Sequence, residues 1–137
     1  YDGQLPVSDE SDEIKVLTND SLKNCKVYNY ETKEYSSIYN LNKITSFDKY
    51  DIYLSGAAPI LMIENPNGDA TRELVVFRDS YGSSLIPLLA TGYSKITVVD
   101  TRYISPRLLN EYIKFDKQDV LFIYSTLVIN NSTALKN

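Results

Sequence analysis

The chain has 137 residues, 43% of them hydrophobic and 23% charged, with a net charge of −4; this is one domain's worth of ordinary globular composition and excludes wholesale disorder. Its longest unbroken apolar run is five residues, 120 to 124, which excludes a membrane-spanning helix and the apolar core of a signal peptide. A single cysteine, Cys25, and the absence of histidine exclude an intrachain disulfide framework, a cysteine-rich zinc site, a His-ligated metal centre and a self-contained Ser-His-Asp triad.

Residues 1–11 read as an extended leading segment, with Gly, Pro and Ser but no apolar period. The first thirteen residues hold five acids (Asp2, Asp9, Glu10, Asp12, Glu13) and no base. Removing those five from the 18 acids leaves 13 against 14 bases, so the acidity belongs to a solvated end and the body is nearly neutral. No basic stripe is present to track phosphates, which argues against nucleic acid as a partner. The start shows neither an initiating methionine nor a targeting pattern, and an artificial boundary or a cleavage product is expected there.

Residues 13 to 53 follow a strand-like pattern. Ile14, Val16 and Thr18 share one face of a strand, and Tyr28 and Tyr30 alternate with Asn29 and Glu31. Asn19-Asp20-Ser21 and Thr32-Lys33-Glu34 mark turns, so a small antiparallel excursion is expected rather than helices. Six of the twelve tyrosines lie here, at 28, 30, 35, 39, 50 and 53. They read first as half-buried sheet surface with wet hydroxyls, and second as a carbohydrate platform.

The second half changes character. Leu74-Val75-Val76-Phe77, Ile96-Thr97-Val98-Val99 and Val120-Leu121-Phe122-Ile123-Tyr124 are nearly continuous apolar runs. Continuous apolarity predicts burial on both faces, as in parallel strands covered by helices. The first interval carries Leu85, Ile86, Leu88 and Leu89, with Pro87 expected to kink that helix. In the second, Ser105-Pro106 predicts an N-cap and N1 proline, followed by Leu108, Leu109, Tyr112 and Ile113 on one helical face. The sum is β-α-β-α-β, with right-handed crossovers expected.

Ligands in such a sheet bind beyond the carboxyl ends of the parallel strands. That nominates the stretches 78–84, 100–103 and 125–126. A small polar side chain where a strand turns into a helix is exposed beside free N–H groups, which favours an anion or a developing oxyanion. Ser80 is therefore the candidate nucleophile, although Asp79-Ser80 also reads simply as a helix cap. The pattern is neither Gly-x-Ser-x-Gly nor a phosphate loop. Asp100 and Arg102 are candidates for substrate binding or for a plain ion pair. Cys25, beside Lys26, reads as a spare half-buried thiol, with a lowered pKa as the alternative.

Four blocks carry a resemblance: Tyr50-Asp51-Ile52-Tyr53-Leu54-Ser55-Gly56, Ile63-Glu64-Asn65, Val76-Phe77-Arg78-Asp79-Ser80-Tyr81, and Ile96-Thr97-Val98-Val99-Asp100-Thr101-Arg102-Tyr103. Together they resemble the C-terminal part of the DHHW protein family, which is similar to the alginate O-acetyltransferases of the AlgX and AlgJ type within the SGNH-hydrolase superfamily. The likeness runs from about residue 12 to the end. It implies a three-layer α/β SGNH-hydrolase-like (flavodoxin-like) parallel sheet, with residues 12–137 as the C-terminal part of one domain. It also implies that Ser80 is the serine of the family's Asp-Ser-(Tyr/Phe) motif, with Asp79 beside it. Tyr81, Gly56 and Arg102 become the candidate oxyanion- and substrate-binding residues.

In the related acetyltransferases the partner aspartate and histidine precede the serine, so the resemblance implies an upstream half of the same protein that carries the base. The loop Gly56-Ala57-Ala58-Pro59 departs from the Gly-Asn-x-Pro of many relatives, and Ala57 cannot donate a side-chain hydrogen bond to an oxyanion. The leading expectation is the serine-bearing part of an O-acyltransferase or esterase of the bacterial cell envelope, inactive alone, acting on an acylated surface glycan, with no cofactor and no metal. The alternative is a non-catalytic interaction domain that keeps the fold. A third reading is a phosphate-binding flavodoxin-like domain using the serines at 80, 83 and 84.

Overall fold

The computed structural model describes residues 13–131, 133 and 135; the leading segment 1–11 lies outside them. Residues 13–19 run without regular structure into one helical turn, α1 (Asp20–Asn24). Asn19 starts that turn by accepting the Leu22 N–H at 2.8 Å, an N-cap rather than a turn between strands. The strand expected over Ile14, Val16 and Thr18 is absent. Alternation makes a strand only where a neighbouring backbone completes the ladder, and among the described residues this stretch is instead held by the Tyr39 hydroxyl donating to the Leu17 carbonyl at 2.8 Å.

The expected hairpin follows. Strands β1 (Lys26–Asn29) and β2 (Tyr35–Ser37) pair antiparallel, Val27 opposite Ser36. Its turn is set by Lys33 at φ 62° and by the Asn29 side chain, which accepts the Glu31 N–H at 2.8 Å. Beyond it the strand-like reading fails again, because two 3₁₀ turns, Leu41–Thr45 and Lys49–Ile52, are capped by Asn40 and Asp48.

Four strands complete the sheet: β3 (Ile60–Glu64), β4 (Glu73–Arg78), β5 (Lys95–Val99) and β6 (Asp119–Ile123). The spatial order is β2-β1-β3-β5-β4-β6. The three expected strands, β4, β5 and β6, are parallel to one another, with β4 in the middle. β3 lies antiparallel to both β1 and β5. The protein is therefore mixed α/β, and its antiparallel part reaches further into the sheet than a small N-terminal excursion.

Alternate residues of β4 feed two cores. Leu74 and Val76 join Val27, Leu61, Ile63, Ile96 and Val98 on one face, under Leu22 and under Ile86 of α2 (Ile86–Leu89). Val75 and Phe77 join Ile60 and Val99 on the other, under Ile104, Leu109 and Ile113. Pro87 sits in the first turn of α2, where its missing N–H has no intrahelical partner to lose. Ser105 and Pro106 do open a helical segment, Pro106–Glu111, but it is 3₁₀. Leu109 and Ile113 are buried, joined by an N–H from Ile113 to the Leu109 carbonyl at 2.7 Å just past the segment, while Leu108 and Tyr112 stay exposed.

β6 is the edge strand. Its Leu121 and Ile123 pack on one core, whereas Val120 and Phe122 are exposed, Phe122 at 66%. Phe122 stacks on Phe77 with ring centroids 4.8 Å apart. Burial on both faces, inferred from the apolar run, does not hold at this edge. The chain continues into α3 (Thr126–Asn130). Among the described residues, no helix is long and apolar enough to cross a membrane.

Candidate functional site

The parallel strands β4, β5 and β6 end side by side, and their first loop residues interlock. Asp79, immediately after β4, is buried. Its Oδ1 accepts the Tyr81 N–H at 3.0 Å and its Oδ2 accepts the Ser125 N–H at 2.7 Å, beyond β6. Burial works against the carboxylate charge, but hydrogen bonds from Ser125 and Tyr81 and the nearby Arg102 charge outweigh it, holding Asp79 below the usual aspartate range.

Beyond β5, Asp100 is fully buried and grips Arg102 through Nε at 2.9 Å and Nη2 at 2.7 Å. It also faces Arg78 Nη1 at 3.6 Å. Arg78, the last residue of β4, is 1% exposed, and its Nε and Nη2 have no hydrogen-bond partner among the described residues. Desolvation therefore pulls its pKa down, with Asp100 opposing, while the Asp100 hydrogen bond pushes that of Arg102 up. Thr101 and Tyr124 join hydroxyls at 3.0 Å and tie the β5 loop to the end of β6.

Ser80 opens the 3₁₀ turn Ser80–Ser83 on this platform. It is exposed, and neither its hydroxyl nor its backbone N–H has a partner among the described residues. The N–H groups that follow are occupied: Tyr81 donates to the Asp79 side chain and Gly82 to the Asp79 carbonyl at 3.1 Å. The open donor at this turn is thus the N–H of Ser80 itself rather than those of the following helix. Asp79 does what its cap reading expects, and in doing so leaves the Ser80 hydroxyl pointing to no internal partner.

The Tyr50-to-Gly56 block comes to the same place. The Tyr50 hydroxyl donates to Ser84 Oγ at 2.7 Å, joining the block to the Ser80 turn. Leu54, Ser55 and Gly56 have φ of 56°, 63° and 98° in succession. The φ of 98° at Gly56 favours glycine, and a Cβ there would lie 2.7 Å from Asp51 Oδ1, which would have to move. The left-handed pair before it is held by burial of Leu54 and by Asn40 Nδ2 donating to Ser55 Oγ at 3.0 Å. Backbone strain of this kind concentrates at functional loops.

Of the candidate residues, Ser80, Asp79 and Arg102 therefore share one end of the sheet, and the Gly56 loop is docked to it. Tyr81 is 74% exposed beside them. The third reading loses its geometry, since Ser83 is buried and Ser84 is engaged by Tyr50. Cys25 is buried and donates to the Ser21 carbonyl at 3.4 Å, and burial raises its pKa. The six early tyrosines do not form one platform. Tyr28 packs on Tyr30 and Tyr35, and Tyr53 on Tyr39 and Tyr50. Sequence reasoning missed Arg78 as a buried cation, although its place one residue before a site at a strand end was a signal.

These features define a mixed α/β protein with an exposed serine at the carboxyl end of its central parallel strand. No family model matches the chain and no curated protein matches it. Among solved structures it is similar to PatB1 of Bacillus cereus with a sulfonyl adduct, at 20% identity and a TM-score of 0.53, over 82% of this chain and 39% of that one. A second PatB1 structure from the same organism gives 20%, 0.50, 82% and 37%. A DHHW family protein from Eubacterium siraeum gives 24%, 0.49, 82% and 37%. The PatB1 likeness shows the fold. The chain spans about two-fifths of the length of the structures it matches.

Proposed function

We propose that the chain is the serine-bearing part of an SGNH-like O-acyltransferase or esterase, of the kind represented by AlgX and AlgJ, acting at the bacterial cell envelope on an acylated surface glycan. The observation that carries this reading is the state of Ser80: exposed, with hydroxyl and N–H both unpartnered, on a turn clamped by a buried aspartate. Its Oγ would bond to an acyl carbon while a base takes its proton, the backbone N–H of Ser80 facing the oxyanion. Collapse would release the first alcohol, which takes the proton, and an acceptor hydroxyl or water would then remove the acyl group. The chain has no histidine, so the base comes from an upstream half, and this chain alone is inactive.

A fold neighbour carrying a sulfonyl adduct supports testing with an electrophile. A protein extended upstream should take one fluorophosphonate adduct by intact mass, lost in Ser80→Ala. A folded extended protein that takes none overturns the mechanism. The interaction-domain reading is favoured by one observation, the exposed Ala57 with no side-chain donor beside the Gly56 turn, and that outcome would shift the weight to it.

A further inference from the structure

A cleft of about 230 Å³ opens at the same end of the sheet as Ser80, lined by Tyr30, Glu31, Pro59, Tyr103 and Tyr112 among others. Its position follows from the backbone: the Pro59 carbonyl accepts the Asp100 N–H at 3.0 Å, so the cleft adjoins the Asp100–Arg102 pair. A larger groove of about 620 Å³, against Cys25, Lys26 and Glu64, lies at the opposite end of the sheet. The three cleft tyrosines come from distant parts of the chain. Tyr30 is fixed edge-to-face between Tyr28 at 5.1 Å and Tyr112 at 5.5 Å. Tyr103 is 48% exposed and Tyr112 40%, and the Arg102 guanidinium lies 5.4 Å from the Tyr103 ring centre.

We propose that this cleft binds one pyranose ring of an uncharged glycan. A sugar ring presents a face of C–H groups and a rim of hydroxyls. Tyrosine offers the complement, a large rigid apolar face with a polar tip, and the Glu31 carboxylate at the rim accepts hydroxyl protons. The volume falls below that of drug-sized sites and suits a single ring. A nucleobase would also stack here, and beside Glu31 in the lining Lys33 and Arg102 lie 5.9 and 5.4 Å from the Tyr30 and Tyr103 ring centres, so a flat competing ligand is needed to decide between the two. The cleft's role as an acceptor subsite rests on the reading of Ser80 above, whereas its affinity for sugar does not.

Saturation-transfer NMR of the 137-residue chain with maltotriose, cellotriose and chitotriose, each at millimolar concentration, tests the proposal, with adenosine as the competing flat ligand. At least one trisaccharide should bind through its ring C–H protons. Tyr103→Ala should weaken binding roughly tenfold, and Glu31→Gln should weaken it less. If none of the three sugars binds, if Tyr103→Ala binds like the parent, or if adenosine outcompetes them all, the proposal is wrong. Sugar binding without fluorophosphonate labelling at Ser80 removes only the acyl-transfer reading. Labelling without sugar binding removes only the cleft.

Discussion

Asp79 Oδ2 accepts the Ser125 N–H at 2.7 Å, so one carboxylate at the end of β4 fastens the end of β6, 46 residues later in the chain. The same group caps the Ser80 turn. Removing it unties two loops at once. Asp79→Ala should cost about 2 kcal/mol in urea denaturation at neutral pH, the usual worth of hydrogen bonds to a charged, buried acceptor.

The pH dependence of that loss has a definite sign. The folded pKa of Asp79 is depressed, so its contribution is fully present above the unfolded aspartate value of about 3.9 and fades as pH falls through the lower folded value. The stability gap between the parent and Asp79→Ala should be constant from about pH 5 to 7 and shrink below about pH 4. A gap that grows on acidification would refute the assignment.

Arg78 and Asp100 are both buried, yet they are not equivalent. Asp100 keeps two bonds to Arg102 when Arg78 is removed, whereas Arg78 already leaves Nε and Nη2 unpaired among the described residues. Arg78→Met should therefore change stability by less than about 1 kcal/mol or raise it, while Asp100→Ala should lose about 3–5 kcal/mol by stranding a buried cation. Equal losses in denaturant titrations would sink this distinction.

Gly56→Ala puts a methyl 2.7 Å from Asp51 Oδ1 at φ +98°. The expected loss is about 2 kcal/mol. Adding Asp51→Ala relieves the contact but not the backbone, so thermal denaturation should show partial recovery only.

Cys25 is buried with its thiol pKa raised. A disulfide reagent at neutral pH should leave it largely unmodified in the folded chain and react promptly once denaturant is added. Prompt reaction in the native state would mean that the segment around α1 opens readily.

The parallel strands and the carboxyl-end site were legible because long-range burial writes itself into apolar runs such as Leu74 to Phe77, and because strand-to-helix turns have restricted chemistry at Asp79 and Ser80. β3 carried the same signal in Ile60-Leu61-Met62-Ile63, but nothing in that run indicates that it inserts antiparallel between β1 and β5. The N-terminal region misled for a related reason. Alternation at Ile14, Val16 and Thr18 records side-chain pattern alone, and no strand pairs with it. Local capping by Asn19, Asn40 and Asp48 won there, as it does wherever a short polar side chain reaches the backbone two or three residues on. Edge position is equally invisible locally: the run from Val120 to Ile123 looks like a central strand and is half bare.

The place of β6 in the sheet also sets the order of assembly during synthesis. Of the six described strands β6 is synthesised after the other five, and it seats against β4 rather than against its predecessor β5. A nascent chain can therefore join the other five strands while the Ser125 N–H is still unavailable to Asp79. Until then the Ser80 turn lacks one of the two hydrogen bonds that Asp79 makes around it.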